Sequence, residues 1–230
     1  MKYRSRREII RLLNRLSNDR YTLVPTRTRE EWLAKRRSCI GASDCAAILG
    51  KSPWKTARDI YFDKHDNRVD NSISDSMLIG MKSESRIRDL FAIETKSDVV
   101  DCTGMMMVSN RICCMSCTLD GIILENDGGR PVILEIKSLS SMSGWEGDTV
   151  PEYYLIQVLH QMYVTGFNKA IILARFRCSS DMTWPGREKI YTVDADDYSD
   201  EISSIASKTK DFWINHIARG NPPNAVLPEV

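Results

Sequence analysis

Residues 118–138 read TLDGIILENDGGRPVILEIKS, two apolar runs separated by the turn signal Asn126-Asp127-Gly128-Gly129. Asn, Asp and Gly tolerate the positive φ that tight hairpin turns require, so Thr118 to Leu124 and Val132 to Ser138 are expected to run antiparallel. A turn centred on Asp127-Gly128 pairs residues whose numbers sum to 255, and Asp120 then faces Glu135. Strand alternation puts Ile133, Glu135 and Lys137 on one face and Val132, Leu134 and Ile136 on the other. In the same register Lys137 falls opposite Thr118. Facing carboxylates, about 5 Å apart between Cβ atoms, repel each other unless a proton or a cation relieves them. A divalent metal would do so. A bulge that slips the register by one residue would send one carboxylate to the opposite face.

Glu and Lys two apart on a strand also describe a solvated outer face. A third carboxylate argues for more. Glu84 lies in a segment that reads as a helix from about Ser74 to Lys96, where Met77, Met81, Glu84, Arg88 and Phe91 recur at helical spacing. Glu84 therefore shares the apolar stripe, where an acid is costly without a partner: it is either paired with Arg88 or aimed at a metal site.

The length of 230 residues suits one substantial core, and 42% hydrophobic with 27% charged residues is the balance of a globular protein rather than a disordered one. No apolar run approaches the roughly 18 residues of a membrane span, and the basic start Met1 to Arg7 leads into a charged amphipathic segment, so a cytoplasmic protein is expected. Seven cysteines, an odd number, suggest reduced thiols. The net charge of +1 conceals an asymmetry, because residues 1–37 carry +8 and the remainder −7. Such a start can attract a phosphate backbone, or be a basic solvated helix face.

The first helix is expected over Arg6 to Leu16, followed by a linker through Tyr21 to Pro25. Thr28 and Glu31 have capping-box spacing, so a second helix starts at Arg29, carries Trp32 and Arg36 on one side and ends near Gly41. Ser43 or Asp44 can cap a third through Leu49, and a fourth runs through Tyr61. Beyond the Glu84 helix come apolar stretches near Asp98 to Val108, the hairpin, a helix from Pro151 to Val164, strands at Lys169 to Phe176 and near Lys189 to Val193, and a last helix to Ala218. The acidic stretch Asp194 to Glu201 lacks the glycine and spacing of a calcium loop and reads as a solvated helix start.

In order, Trp32 to Arg36, Gly41-Ala42-Ser43-Asp44, Gly80 to Glu84, Thr118-Leu119-Asp120-Gly121, Leu134-Glu135-Ile136-Lys137 and Gln157 resemble the phage lambda exonuclease and YqaJ family of viral recombination nucleases. The resemblance spans roughly residues 30–165 and implies an α/β, restriction-endonuclease-like fold: a central mixed sheet flanked by helices, here with an N-terminal helical segment. One nuclease domain would comprise a basic segment over 1–28, a core over 29–220 and a tail over 221–230. Implied too are a Mg2+-dependent enzyme, with Mn2+ as a substitute, digesting one strand of duplex DNA from its 5′ end, a homotrimer, and a single-strand annealing protein as partner.

The resemblance makes Asp120 and Glu135 metal-binding carboxylates, the Ile136 carbonyl a further ligand, Lys137 the catalytic lysine and Glu84 the helix-borne acid of the same site. Magnesium takes oxygen ligands and keeps several waters, which suits a few carboxylates plus a substrate phosphate. Lys137 can orient the water or neutralise phosphate charge; service as a base would need a depressed pKa, which neighbouring carboxylates oppose. Arg36, Ser43 and Thr118 match a pocket for a 5′-terminal phosphate. A guanidinium forks onto phosphate oxygens, and Ser43 lies where a helix begins, although a plain cap explains that serine equally. Thr118 and Leu119 stand where the family has serine and proline. Gln157 matches a glutamine that completes the active site, and shares a helix face with Gln161; a buried hydrogen-bonding role is the other reading.

Other functions remain open: another nuclease of the same fold, either an endonuclease or a Cas4-like enzyme, or a catalytically silent DNA-end-binding subunit. Cys114-Met115-Ser116-Cys117 would need Cys102 or Cys113 to complete a cluster site. His65, His160 and His216 form no catalytic signature. Trp54 and Trp184 could stack on a base or simply pack.

Overall fold

The computed structural model describes residues 3–65, 75–124, 129–145, 147–176 and 187–225, without the side chains of 75–77 and 81. The turn residues Asn126 to Gly128, Ser74, Cys178 and Trp184 therefore lie outside the described residues, as do the side chains of Met77 and Met81.

Helix α1 spans Arg6–Leu16 as expected, with Ser5 and Glu8 capping it reciprocally and Leu13 buried. The segment Tyr21–Pro25 is not a linker: it forms strand β1 and pairs antiparallel with β4, Met105–Ser109. Its burial does not alternate cleanly and it ends in proline, which is tolerated on the edge strand that β1 is. Helix α2, Arg29–Arg37, starts at Thr28, whose side chain accepts the Glu31 N–H. The Glu31 carboxylate reaches past the cap to the Arg27 N–H at 2.6 Å, so the box closes one residue early.

A two-residue strand β2, Ile40–Gly41, then pairs parallel with β5, Met115–Thr118, and leads into helix α3, Ala42–Ile48. The cap of α3 is Gly41 rather than Ser43 or Asp44; the Asp44 carboxylate accepts the Gly41 N–H at 3.1 Å from inside the first turn. Helix α4, Ala57–His65, runs one turn beyond Tyr61. Helix α5, Asp75–Glu94, buries Arg88 and Phe91 with Glu84 half-buried on the same side, as the spacing requires.

The remaining elements are β3 (Asp98–Asp101), β6 (Gly121–Leu124), β7 (Val132–Leu139), α6 (Glu152–Thr165), β8 (Lys169–Phe176), β9 (Glu188–Asp194), a 3-10 turn at Ala195–Tyr198, α7 (Ser199–Phe212) and a π-helical turn at Trp213–Ile217. Asp194 caps the 3-10 turn that leads into α7, so the acidic stretch is a helix start. The strands form two sheets. A five-stranded sheet runs β3-β6-β7-β8-β9, mixed because β7 and β8 are parallel, and a four-stranded sheet runs β1-β4-β5-β2.

The β6–β7 register is the one read from the turn: Gly121 pairs with Leu134, Ile122 with Ile133 and Ile123 with Val132. Val132, Leu134 and Ile136 pack with Ile87, Phe91 and Ala92 of α5, whereas Ile133 belongs to the larger core beneath α6 and α7. The two faces of β7 therefore meet different helices. Thr118 does not lie opposite Lys137; the chain leaves the central sheet before Gly121, and Thr118 pairs with Met106 in the second sheet. Gly121 sits at that crossing because a Cβ there would stand 3.1 Å from Val99 Cγ1 and 3.3 Å from Arg88 Cδ.

Candidate active site

Strand β7 is eight residues long, yet β6 pairs with only its first three, so Glu135, Ile136 and Lys137 have β8 on one side and a free edge on the other. Asp120 fills that edge. Its Oδ2 accepts the Ile136 N–H at 2.7 Å, which satisfies a backbone donor left behind by β6. Behind it, Arg88 donates to the Asp120 carbonyl at 2.8 Å and pairs with Asp101 at 2.8 Å. Arg88 is thus engaged elsewhere than Glu84, although its charge still acts on that acid. Ser83 Oγ, 3.0 Å from Ser138 Oγ, fixes α5 against β7 beside Glu84.

Glu135 is 2% exposed and faces α6. Its Oε1 accepts Lys137 Nζ at 2.7 Å and Gln157 Nε2 at 2.6 Å, and its Oε2 accepts Gln161 Nε2 at 2.7 Å. Gln157 Oε1 in turn accepts Lys137 Nζ at 2.9 Å. The lysine also lies over the Tyr154 ring, 4.4 Å from its centroid. Sequence reading placed Gln157 here but assigned Gln161 no role; its four-residue offset on the same helix was the available signal. Tyr154 carried no signal.

Electrostatics tie the groups together. Burial pushes the Asp120 carboxyl well above its ordinary range, and the neighbouring Glu135 and Glu84 carboxylates push it further. Glu84 is also raised, chiefly by burial, with Arg88 opposing and Glu135 adding to the shift. Burial pulls Lys137 down, but Glu135 and Asp120 outweigh it and the net shift is upward, so the ammonium is retained at neutral pH. Were all three carboxylates ionised together, their charge would exceed that of the Lys137 ammonium by two; a proton held by Asp120 relieves that repulsion, and a divalent cation in its place would do the same. Among the described residues, however, no three His, Cys, Asp or Glu side chains are gathered as a ready-made metal cage. The hard oxygen donors of Asp120, Glu135 and Glu84 nonetheless fit magnesium, which completes its shell with water and substrate.

A second group of residues adjoins this one. The β2–β5 pairing sets the start of α3 beside β5, and α2 packs across it: Trp32 Nε1 donates to Thr118 Oγ1 at 3.2 Å, and the Arg36 guanidinium lies over the Trp32 ring at 5.3 Å. Arg36 Nη2 donates to Ser43 Oγ at 3.2 Å. Arg36, Ser43 and Thr118 line one cleft of about 80 Å³, and Gln157 lines it too. Two further residues lie below this cleft: Asp44, which the sequence offers only as a possible cap, and Lys64, which it does not single out. Asp44 pairs with both Arg36 and Lys64, the latter at 2.7 Å.

The other singled-out residues go elsewhere. His160 is wholly buried and bonded to the Ser116 carbonyl at 3.1 Å, and burial lowers its pKa to about 4. Cys102 and Cys117 are core residues whose thiols burial pushes up, and the six described cysteines are free. Trp54 stands 66% exposed, edge-on to Tyr153. Among the described residues no helix is long and apolar enough to cross a membrane.

The two-sheet core with an acid- and lysine-bearing strand edge is a restriction-endonuclease-like fold. Residues 31–168 match the YqaJ-like viral recombinase domain, and the chain belongs to that family. It is 27% identical over 202 residues to the uncharacterized protein YqaJ of Bacillus subtilis (strain 168), covering 85% of this chain and 59% of that protein, so it spans under two thirds of the relative's length. Among solved structures it is similar to LHK-Exo in complex with dAMP, with TM-score 0.65 and 21% identity over 83% of this chain and 93% of that one. The alkaline exonuclease LHK-Exo from Laribacter hongkongensis superposes with TM-score 0.60 and 20% identity, covering 83% and 97%. A phage related exonuclease from Haemophilus somnus 129PT gives TM-score 0.54 and 13% identity, covering 79% and 96%. At these identities the likeness establishes the shared fold.

Proposed function

We propose that this protein is a magnesium-dependent 5′-to-3′ exonuclease that degrades one strand of duplex DNA from its end and leaves a 3′ single strand for recombination by strand annealing. The observation that carries the reading is the position of Gln157, which lines the cleft of Arg36, Ser43 and Thr118 and also bonds Lys137 and Glu135. A terminal phosphate seated in the cleft therefore lies beside the groups that act on a phosphodiester. Membership of a viral recombinase family and the fold shared with exonucleases support it.

Asp120, Glu135, Glu84 and the Ile136 carbonyl would hold the cation, with manganese able to replace magnesium. When bound, the ion supplies a Lewis acid that makes water nucleophilic and takes up charge on the leaving oxygen. Lys137, kept protonated by its carboxylate neighbours, stabilises charge on the phosphate and orients the attacking water rather than removing its proton. Gln157 and Gln161 fix the Glu135 carboxylate on both oxygens. Arg36 offers paired N–H donors to the terminal phosphate, with Ser43 and Thr118 adding hydroxyls. The same reading takes duplex ends as substrate in the cytoplasm, a homotrimer as the working form and a single-strand annealing protein as partner.

Linear and covalently closed duplexes, incubated with magnesium and either the wild-type protein or Lys137→Ala, test the reaction. Linear duplex should be consumed by the wild type alone and closed duplex by neither. Cleavage of closed duplex would replace the exonuclease with an endonuclease, and an inert wild type would remove the nuclease altogether.

A further inference from the structure

Beneath the phosphate cleft, two cations share one carboxylate. Asp44 is 2% exposed. Its Oδ1 accepts Arg36 Nη2, while its Oδ2 accepts Lys64 Nζ at 2.7 Å and the Gly41 N–H at 3.1 Å. Lys64 Nζ also donates to the Arg36 main-chain carbonyl at 3.0 Å, and its side chain is only 3% exposed. The lysine comes from α4, the arginine from α2 and the aspartate from α3, so the ion triad ties three helices together under one wall of the cleft. Burial pushes the Asp44 carboxyl up, but Arg36 and Lys64 together hold it at about 2.

The charges have a consequence for the ligand. Arg36 and Asp44 alone would cancel, and a neutral pair has little attraction for an anion. Lys64 leaves the triad with one net positive charge, and it places that charge where only Arg36, at 27% side-chain exposure, can present it to a ligand. Burying a second cation is costly, and a purely structural pair would need only one.

Resting on the reading of this cleft as a terminal-phosphate seat, we propose that Lys64 is a positioning residue for phosphate recognition: by neutralising Asp44 it frees the charge of Arg36 for a phosphate and holds the arginine against Ser43. Lys64 does not touch the DNA. Its effect passes through Asp44 and the backbone of Arg36, and it sets discrimination between phosphorylated and hydroxyl ends rather than the hydrolytic step.

The test is the ratio of degradation rates on linear duplexes with 5′-phosphate and 5′-hydroxyl ends, measured for wild type, Arg36→Ala, Lys64→Met and the double variant Asp44→Asn/Lys64→Met. The wild type should favour phosphate and Arg36→Ala should lose the preference. Lys64→Met should lower the ratio by roughly tenfold or more, the scale of a charge-assisted hydrogen bond. The double variant restores one net positive charge, and the amide oxygen it introduces can still accept the Gly41 N–H, so the ratio should return towards the wild-type value. A structural role alone gives no such rescue.

If Lys64→Met does not fold, the double variant, which lacks the uncompensated carboxylate, decides the matter. A wild-type ratio in Lys64→Met, or a double variant without recovery, overturns the role of Lys64 and leaves the Arg36 assignment standing. A wild type indifferent to the end group, or an unchanged ratio in Arg36→Ala, overturns the phosphate seat and this inference with it.

Discussion

Gln161 Nε2 lies 2.7 Å from Glu135 Oε2, one helical turn beyond Gln157, which donates to the other oxygen of the same carboxylate. Both amides are supplied by α6, so the orientation of Glu135 is set by a helix rather than by β7 alone. Gln161→Leu removes one of the three side-chain donors to that carboxylate. Groups that orient a ligand in this way typically contribute 10- to 100-fold, so turnover should fall by roughly that factor at saturating magnesium. Steady-state rates on linear duplex measure it, and an unchanged rate would show that Gln157 suffices.

Lys137 is the cation of the site, with both Glu135 and Gln157 bonded to its ammonium. Lys137→Ala should still bind duplex ends but cut them no better than a metal-free control, a loss of roughly 10²-fold or more. Gel-shift binding alongside digestion separates the two effects. Loss of binding with the turnover of the bound fraction intact would assign Lys137 to DNA binding instead.

Arg88 is 3% exposed and carries the Asp120 carbonyl as well as Asp101. Arg88→Met leaves that carbonyl without its side-chain donor, which costs about 1–3 kcal/mol. Denaturant unfolding should register the loss. A variant as stable as the wild type would mean that the carbonyl finds another donor.

His160 links stability to acid. Its pKa lies near 4 in the folded protein against an ordinary 6.5, so the unfolded chain takes up the proton first. The contribution of the neutral imidazole is full above about pH 6.5 and declines by about 1.4 kcal/mol per pH unit towards pH 4, below which it levels off. His160→Gln should flatten this part of the stability profile; a profile as steep as the wild type's would place the acid sensitivity elsewhere.

The central hairpin was legible because turn chemistry and alternation both act locally and fix one register for Gly121 to Ile123 against Val132 to Leu134; Asp120, just outside β6, reaches β7 through its side chain on the Ile136 N–H rather than as the strand partner of Glu135. The place of Glu84 was legible for a similar reason: helical spacing alone sets it half-buried on the stripe that buries Arg88 and Phe91. Tyr21–Pro25 was not, because an edge strand ending in proline has neither clean alternation nor a hairpin turn to announce it; its partner β4 lies some eighty residues away. Asp44 read as a helix cap; it does accept the Gly41 N–H at the start of α3, but it also anchors two cations that the sequence did not announce. Lys64 had no local signal at all: a lysine near the end of a helix is usually solvated, and only the packing of α4 against α2 and α3 buries it. The second sheet was hidden by the shortness of β2, two residues that become a strand only beside β5.

The most direct test of the central claim uses a linear duplex with a phosphate on one 5′ end and a hydroxyl on the other, each strand labelled separately, with and without magnesium. Stepwise loss of the phosphorylated strand from its 5′ end, only when magnesium is present, is the predicted result. Equal loss of both strands, loss from the 3′ end, or undiminished digestion in chelator would contradict it.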